Sequence, residues 1–235
     1  ENDFRQLFRN LNMPDRIRNL DTARWVRYCK EVGATTVFLD IQAGYAYWRT
    51  QLIPRDPVLG DRDLGEELAR AARRHGLKFC FYLFASGCNS IASDHPDWHC
   101  ISADGGLEAR NWGNDSIFCF SHPGFREHRA AVLREIATRY RPHGFFLDTF
   151  VMGFSACYCA SCEALYREQT GRSLPHQPDW SSTEWYDFLD WRDQQQVKAA
   201  RYFHDVIHGV DPKIAIVWNC GQVWHGWYAA PSPAK

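Results

Sequence analysis

Short apolar runs alternate with longer stretches of helical periodicity along this chain. Thr22 to Val32 reads as an amphipathic helix stopped by Gly33, and Thr35 to Ile41 as a buried strand. Leu64 to His75 is helical, with Gly76 as its C-terminal stop. Lys78-Phe79-Cys80-Phe81-Tyr82-Leu83-Phe84 is the next strand. Gly124 to Tyr140 is helical, and Phe145 to Phe150 is a third strand. A helix from Cys162 to Thr170 ends at Gly171. A long one follows from about Ser182 to His208, and Ile214 to Asn219 is a fourth strand.

Hydrophobic strands separated by helices predict parallel pairing with helices over the sheet. The strands close on Asp40, Asp148 and Asn219, which places polar side chains at the C-terminal edge, where such folds bind ligands. No Gly-x-Gly-x-x-Gly or Walker motif follows any strand, which disfavours a nucleotide-binding doubly wound sheet. The connections Gln42 to Asp63 and Ala85 to Pro123 are long, as site-building loops are. The expected class is therefore α/β of the (β/α)8 TIM-barrel type. Four strands are half the number a barrel needs, so the expectation is a partial barrel, with residues 1–235 forming part of one domain. The remainder is expected from the same polypeptide or from a second subunit.

Composition narrows the partners. A net charge of −1 gives no basic surface for nucleic acid or an anionic membrane. No apolar run approaches the roughly 18 residues of a membrane span, and the first residues have no signal-peptide pattern. A soluble protein is expected, either cytoplasmic or secreted after removal of a leader. The 10 Trp, 10 Tyr and 15 Phe exceed what a core of this size requires, so some are expected to line a cleft. Flat apolar rings suit the C–H faces of sugars.

The nine cysteines are spread along the chain rather than arranged as a disulfide scaffold. Cys157, Cys159 and Cys162 form C-x-C-x-x-C, a metal-ligand spacing, soon after Asp148 at the end of an apolar strand. Unligated buried thiols or a Cys157–Cys162 disulfide are the other readings of that motif.

Two glycoside hydrolase groups are similar to this chain. Hypothetical glycosyl hydrolases related to α-L-fucosidases resemble it over Asp94-His95-Pro96-Asp97-Trp98, Cys119-Phe120-Ser121-His122-Pro123-Gly124-Phe125-Arg126, Gly144–Phe150, Cys157–Cys162 and Thr170-Gly171-Arg172-Ser173-Leu174-Pro175. Family 42 β-galactosidases resemble it through Cys119 and the later C-x-C-x-x-C. The second resemblance implies a structural zinc on Cys119, Cys157, Cys159 and Cys162, with Cys88 or Cys100 as substitutes for the fourth ligand. Those β-galactosidases carry Asn-Glu at the end of the fourth strand, whereas this chain has Asp148 near that position.

These resemblances imply a retaining exo-glycosidase acting on a terminal sugar. Such an enzyme needs two carboxyl groups. Asp148 is the catalytic candidate. The fucosidase-like resemblance implies a nucleophile and the family 42 resemblance an acid/base; the nucleophile is the preferred reading. Asp40, Tyr47, Trp48, His99, Trp112 and Asn219 are the substrate-binding candidates. The alternatives are a catalytically inactive carbohydrate-binding barrel and a metal-dependent α/β barrel hydrolase. The absence of His-x-His and His-Glu-x-x-His motifs counts against the latter.

Overall fold

A computed structural model describes residues 17–41, 44–108, 116–150 and 157–219; of Asp40 and Ile41 it describes the backbone only. The element order is α1 (Thr22–Glu31), β1 (Thr36–Ile41), α2 (Leu64–His75), β2 (Lys78–Phe84), α3 (Pro123–Tyr140), β3 (Gly144–Asp148), α4 (Ala160–Thr170), α5 (Thr183–His208) and β4 (Ala215–Trp218). The four strands pair in parallel in sequence order, β1-β2-β3-β4. Sequential order without reversal is barrel topology. A doubly wound sheet reverses its strand order at a switch point. The fold is α/β of the (β/α)8 type, and the described residues form an open four-stranded part of a barrel.

The two faces of the sheet differ. Val37 and Leu39 of β1, Phe79, Phe81 and Leu83 of β2, and Phe145 and Leu147 of β3 are buried, as alternate residues on one face of a strand can be. Phe81 meets the rings of Trp48, Phe79, Tyr140 and Phe145 at 5.2–6.3 Å between centroids. Phe81→Ala would open a cavity at this junction and should cost about 3–5 kcal/mol of unfolding free energy, measured by urea titration. The other face carries Tyr82 and Phe146, stacked at 5.0 Å, together with Phe38 and Val217, each 50% exposed.

The helices start and stop on local signals. Asp21 and Asp63 cap α1 and α2 by accepting from the Arg24 and Glu66 amides at 2.9 Å. Gly76 and Gly171 end α2 and α4 in the left-handed conformation that a side chain disfavours. α3 begins where the long β2–α3 connection ends, and α5 returns the chain to β4. The 26 residues of α5 span about 39 Å against about 27 Å for the 18 of α3. Both helices connect parallel strands and so run from the C-terminal edge of the sheet to its N-terminal edge. α4 packs on the N-terminal half of α5: Tyr166 meets Phe188 and Trp191, and Trp191 Nε1 donates to Gln169 at 2.8 Å.

Candidate functional site

Asp148 is the last residue of β3 and is only 7% exposed. Three donors converge on its carboxylate. Tyr82 Oη, from the adjacent strand, donates to Oδ2 at 2.5 Å. Asn219 Nδ2, just past β4, donates to Oδ1 at 2.6 Å, and the Thr149 amide donates to the same oxygen at 2.8 Å. Strand register explains the convergence. Tyr82 pairs with Phe146, and Leu147 pairs with Trp218. The pleat therefore sends Tyr82, Asp148 and Asn219 to the same face at the C-terminal edge.

Thr149 has φ of 56°, in a region that β-branched residues rarely enter. This turn stops β3 at Asp148, short of the Phe150 expected from the apolar pattern, and aims the Thr149 amide at the carboxylate. The Ser86 hydroxyl bonds the Thr149 carbonyl, and the Ala85 amide donates to the Asp148 carbonyl at 2.7 Å. A local strain of order 1–3 kcal/mol is thus held in place by the stretch that follows β2. The result is a carboxylate whose orientation is fixed by three hydrogen bonds.

The second cluster is sulfur. Cys119, Cys157, Cys159 and Cys162 are buried, and their four sulfurs lie within 4.8 Å of one another. Cys119 Sγ and Cys162 Sγ are 3.4 Å apart. A metal centred at thiolate distances of about 2.3 Å requires sulfurs roughly 4 Å apart, so the residues fit such an ion. All four are free thiols, so the Cys157–Cys162 disulfide does not form. Cys100, also buried, lies on a segment whose backbone bonds residues 117–119. Hydrogen bonds, that from Cys100 foremost, pull the Cys119 thiol well down and Cys157 to about 6. Burial pushes Cys100 up, and hydrogen bonding to Cys119 pushes Cys159 and Cys162 up.

The remaining expected site residues separate. Asn219 joins Asp148 directly. Asp40 lies in β1 opposite Tyr82, a register position two residues short of Asp148. Tyr47 packs against the edge of the core, and its carbonyl accepts from the Leu64 amide. Trp48 does not line a cleft. It is 0% exposed, lies edge-on to Phe81, and donates through Nε1 to Glu135 at 2.9 Å. A ring enclosed in this way offers no face to a sugar. His99 is likewise buried in loop packing, against Phe118 and beside the Ala92 carbonyl. Trp112 lies outside the described residues. Tyr82 was not anticipated, although the alternation Phe79-Cys80-Phe81-Tyr82 along β2 places it on the face opposite the core aromatics.

Residues 21–149, more than half of the chain, match the family described as Hypothetical glycosyl hydrolase 6, and the chain belongs to that family. No curated protein matches it. Among solved structures it is similar to α-L-fucosidase isoenzyme 2 from Paenibacillus thiaminolyticus, with a TM-score of 0.71 and 21% identity over 87% of this chain and 30% of that one. It is also similar to a β-galactosidase from the psychrophilic Marinomonas ef1, with a TM-score of 0.65 and 15% identity over 86% of this chain and 36% of that one. A hypothetical protein from Ruminiclostridium thermocellum ATCC 27405 shares the fold at a TM-score of 0.56 and 11% identity, over 87% of this chain and 91% of that one. At these identities the likeness is one of fold. The chain spans about a third of the length of the two enzymes.

Proposed function

We propose that the chain is part of the catalytic barrel of a retaining exo-glycosidase that removes a terminal sugar, with Asp148 as the nucleophile. The observation that carries this reading is the Asp148 carboxylate itself, at the C-terminal end of a barrel strand and held by three donors. A nucleophile must present one oxygen to the anomeric carbon in a fixed orientation, and three donors to one carboxylate hold it so. Its oxygen attacks the anomeric carbon as the glycosidic bond breaks, and a second carboxyl protonates the leaving oxygen. Water then hydrolyses the glycosyl-enzyme ester, with the second carboxyl now acting as base.

Asp40 sits a register layer below Asp148, a position suited to binding sugar hydroxyls rather than to donating the proton. The proton donor is assigned to a strand beyond these four, and residues 1–235 to one domain completed by the rest of the protein. The Tyr82 hydroxyl orients the nucleophile. Hydrogen bonds to charged groups are worth about 1.5–3 kcal/mol, so Tyr82→Phe should lower kcat by about 10- to 100-fold while leaving KM nearly unchanged, measured by initial rates.

The four-cysteine cluster is proposed to hold a structural zinc. Cys119 brings the loop before α3 to the metal, while Cys157, Cys159 and Cys162 bring the start of α4. Four protein ligands leave zinc no open position for substrate. A panel of nitrophenyl glycosides offered to the full-length protein, with and without chelator, tests the reading. Release of nitrophenol from one or a few glycosides that persists until the protein unfolds supports it. Sugar binding without turnover would indicate an inactive carbohydrate-binding barrel, and immediate loss of turnover on chelation a metal-dependent hydrolase.

A further inference from the structure

The backbone that presents Asp148 is gripped at three consecutive carbonyls, each by a donor from outside β3. The Asp148 carbonyl accepts from the Ala85 amide at 2.7 Å, the Thr149 carbonyl from the Ser86 hydroxyl, and the Phe150 carbonyl from Gln196 Nε2 at 2.5 Å. Asn219 closes the other side. Its amide donates to the Leu147 carbonyl at 2.9 Å, and its carbonyl accepts from the Phe150 amide at 3.1 Å. The turn at Thr149 is therefore bonded to the stretch that follows β2, to the middle of α5 and to the residue after β4.

Two of these donors are side chains, Ser86 and Gln196. Both are buried, where a polar group is costly unless it is bonded. Ser86 is itself held on a fixed segment. Its carbonyl accepts from the Phe118 amide at 2.6 Å, and the carbonyl of Gly87 accepts from Nη2 of the buried Arg129 at 2.9 Å. A Cβ on Gly87 would lie 2.6 Å from the Ser116 carbonyl oxygen, so glycine is what lets the two segments approach this closely. Gln196 reaches Phe150 from α5, and Phe203 of the same helix lies edge-on to the Phe150 ring at 6.3 Å. Both donors are thus carried by backbone that is anchored elsewhere.

Resting on the reading of Asp148 as the nucleophile, we infer that Ser86 and Gln196 are positioning residues for the reaction. They hold Thr149 at its positive φ of 56°, and that backbone aims the Thr149 amide at Asp148 Oδ1, 2.8 Å away. Without the Ser86 hydroxyl the Thr149 carbonyl loses this donor, and a β-branched residue returns toward the negative φ it prefers. The peptide between residues 148 and 149 then rotates, the amide leaves Oδ1, and the carboxylate is left to Tyr82 and Asn219. Enclosed side chains offer nothing to a ligand, so Ser86 and Gln196 act through Asp148 and not on the sugar.

The test is a double-mutant comparison in the full-length protein. Ser86→Ala and Gln196→Met are each made in the parent and in Asp148→Gly, where added azide takes the place of the carboxylate. In the parent, each is expected to lower kcat on the best nitrophenyl glycoside by about 10- to 100-fold with KM nearly unchanged, because a small misplacement of a reacting group costs up to about 100-fold. In Asp148→Gly with azide, each should leave the rescued rate within about twofold, because no carboxylate remains to be positioned. A residue that only supports the fold, or that binds substrate, would have the same effect in both backgrounds. That result, or an unchanged kcat in the parent, overturns the inference. Circular dichroism checks the fold. If one variant does not fold, the other carries the comparison, and loss of the fold in both overturns the inference in favour of a purely structural role. Absence of azide rescue in Asp148→Gly overturns the nucleophile reading itself, a result distinct from a rescue that the two substitutions still slow.

Discussion

Asp148→Asn should reduce kcat on the best glycoside by at least about 10²-fold in the full-length protein, with the fold intact. The substitution preserves the shape of the site. The asparagine oxygen can accept from the Thr149 amide and Asn219 Nδ2 as Asp148 Oδ1 does, and the new amide can face the Tyr82 hydroxyl, which also accepts. What disappears is the negative charge that attacks the anomeric carbon. A neutral amide forms no glycosyl ester, so the loss belongs to the chemical step and not to binding. Thermal unfolding of the variant should stay close to that of the parent. Near-unchanged turnover would remove Asp148 from the mechanism, and a collapse in stability would make its role structural.

Removal of the metal should act the other way, with a large effect on stability and a small one on the reaction while the protein stays folded. The sulfurs join the loop before α3 to the start of α4, which packs on the N-terminal half of α5 through Tyr166, Phe188 and Trp191. An ion present at a thousand times its dissociation constant stabilises the folded state by about 4 kcal/mol. For a domain of this size each kcal/mol shifts the melting temperature by about 2–4 °C, so chelation should lower it by roughly 8–16 °C. Differential scanning calorimetry with and without chelator measures the shift. Cys119→Ser should reproduce most of it, because Cys119 is the ligand farthest in sequence from the other three. A melting temperature indifferent to chelator would mean that the thiols are simply buried.

The strand and helix order was readable because the signals were local. Apolar runs marked β1 to β4, and Gly76 and Gly171 stopped α2 and α4 where expected. The ends that moved were set by longer-range geometry. β3 stops at Asp148 because Thr149 adopts a left-handed backbone supported by Ser86 on a neighbouring connection. Nothing in Asp-Thr-Phe announces that turn. Trp48 was misread for the same kind of reason: its loop position suggested a cleft, but Glu135 and Phe81, distant in sequence, enclose it. The resemblance to known families pointed to Cys119 as the partner of the C-x-C-x-x-C motif, and their sulfurs do come together. The backbone bonds linking Trp98 to Cys119 and Cys100 to Ile117 form a pairing that no local pattern displays.

The central claim is that Asp148 attacks the sugar, and azide rescue tests it most directly. The full-length Asp148→Gly variant would be given an activated aryl glycoside of the preferred sugar and sodium azide, and the product's anomeric configuration read by NMR. The carboxylate's place is then open to the small anion, which attacks from the same face. The account predicts restored turnover and a glycosyl azide of inverted configuration. A glycosyl azide of retained configuration would make Asp148 the acid/base instead, and no rescue at any azide concentration would contradict its role as nucleophile.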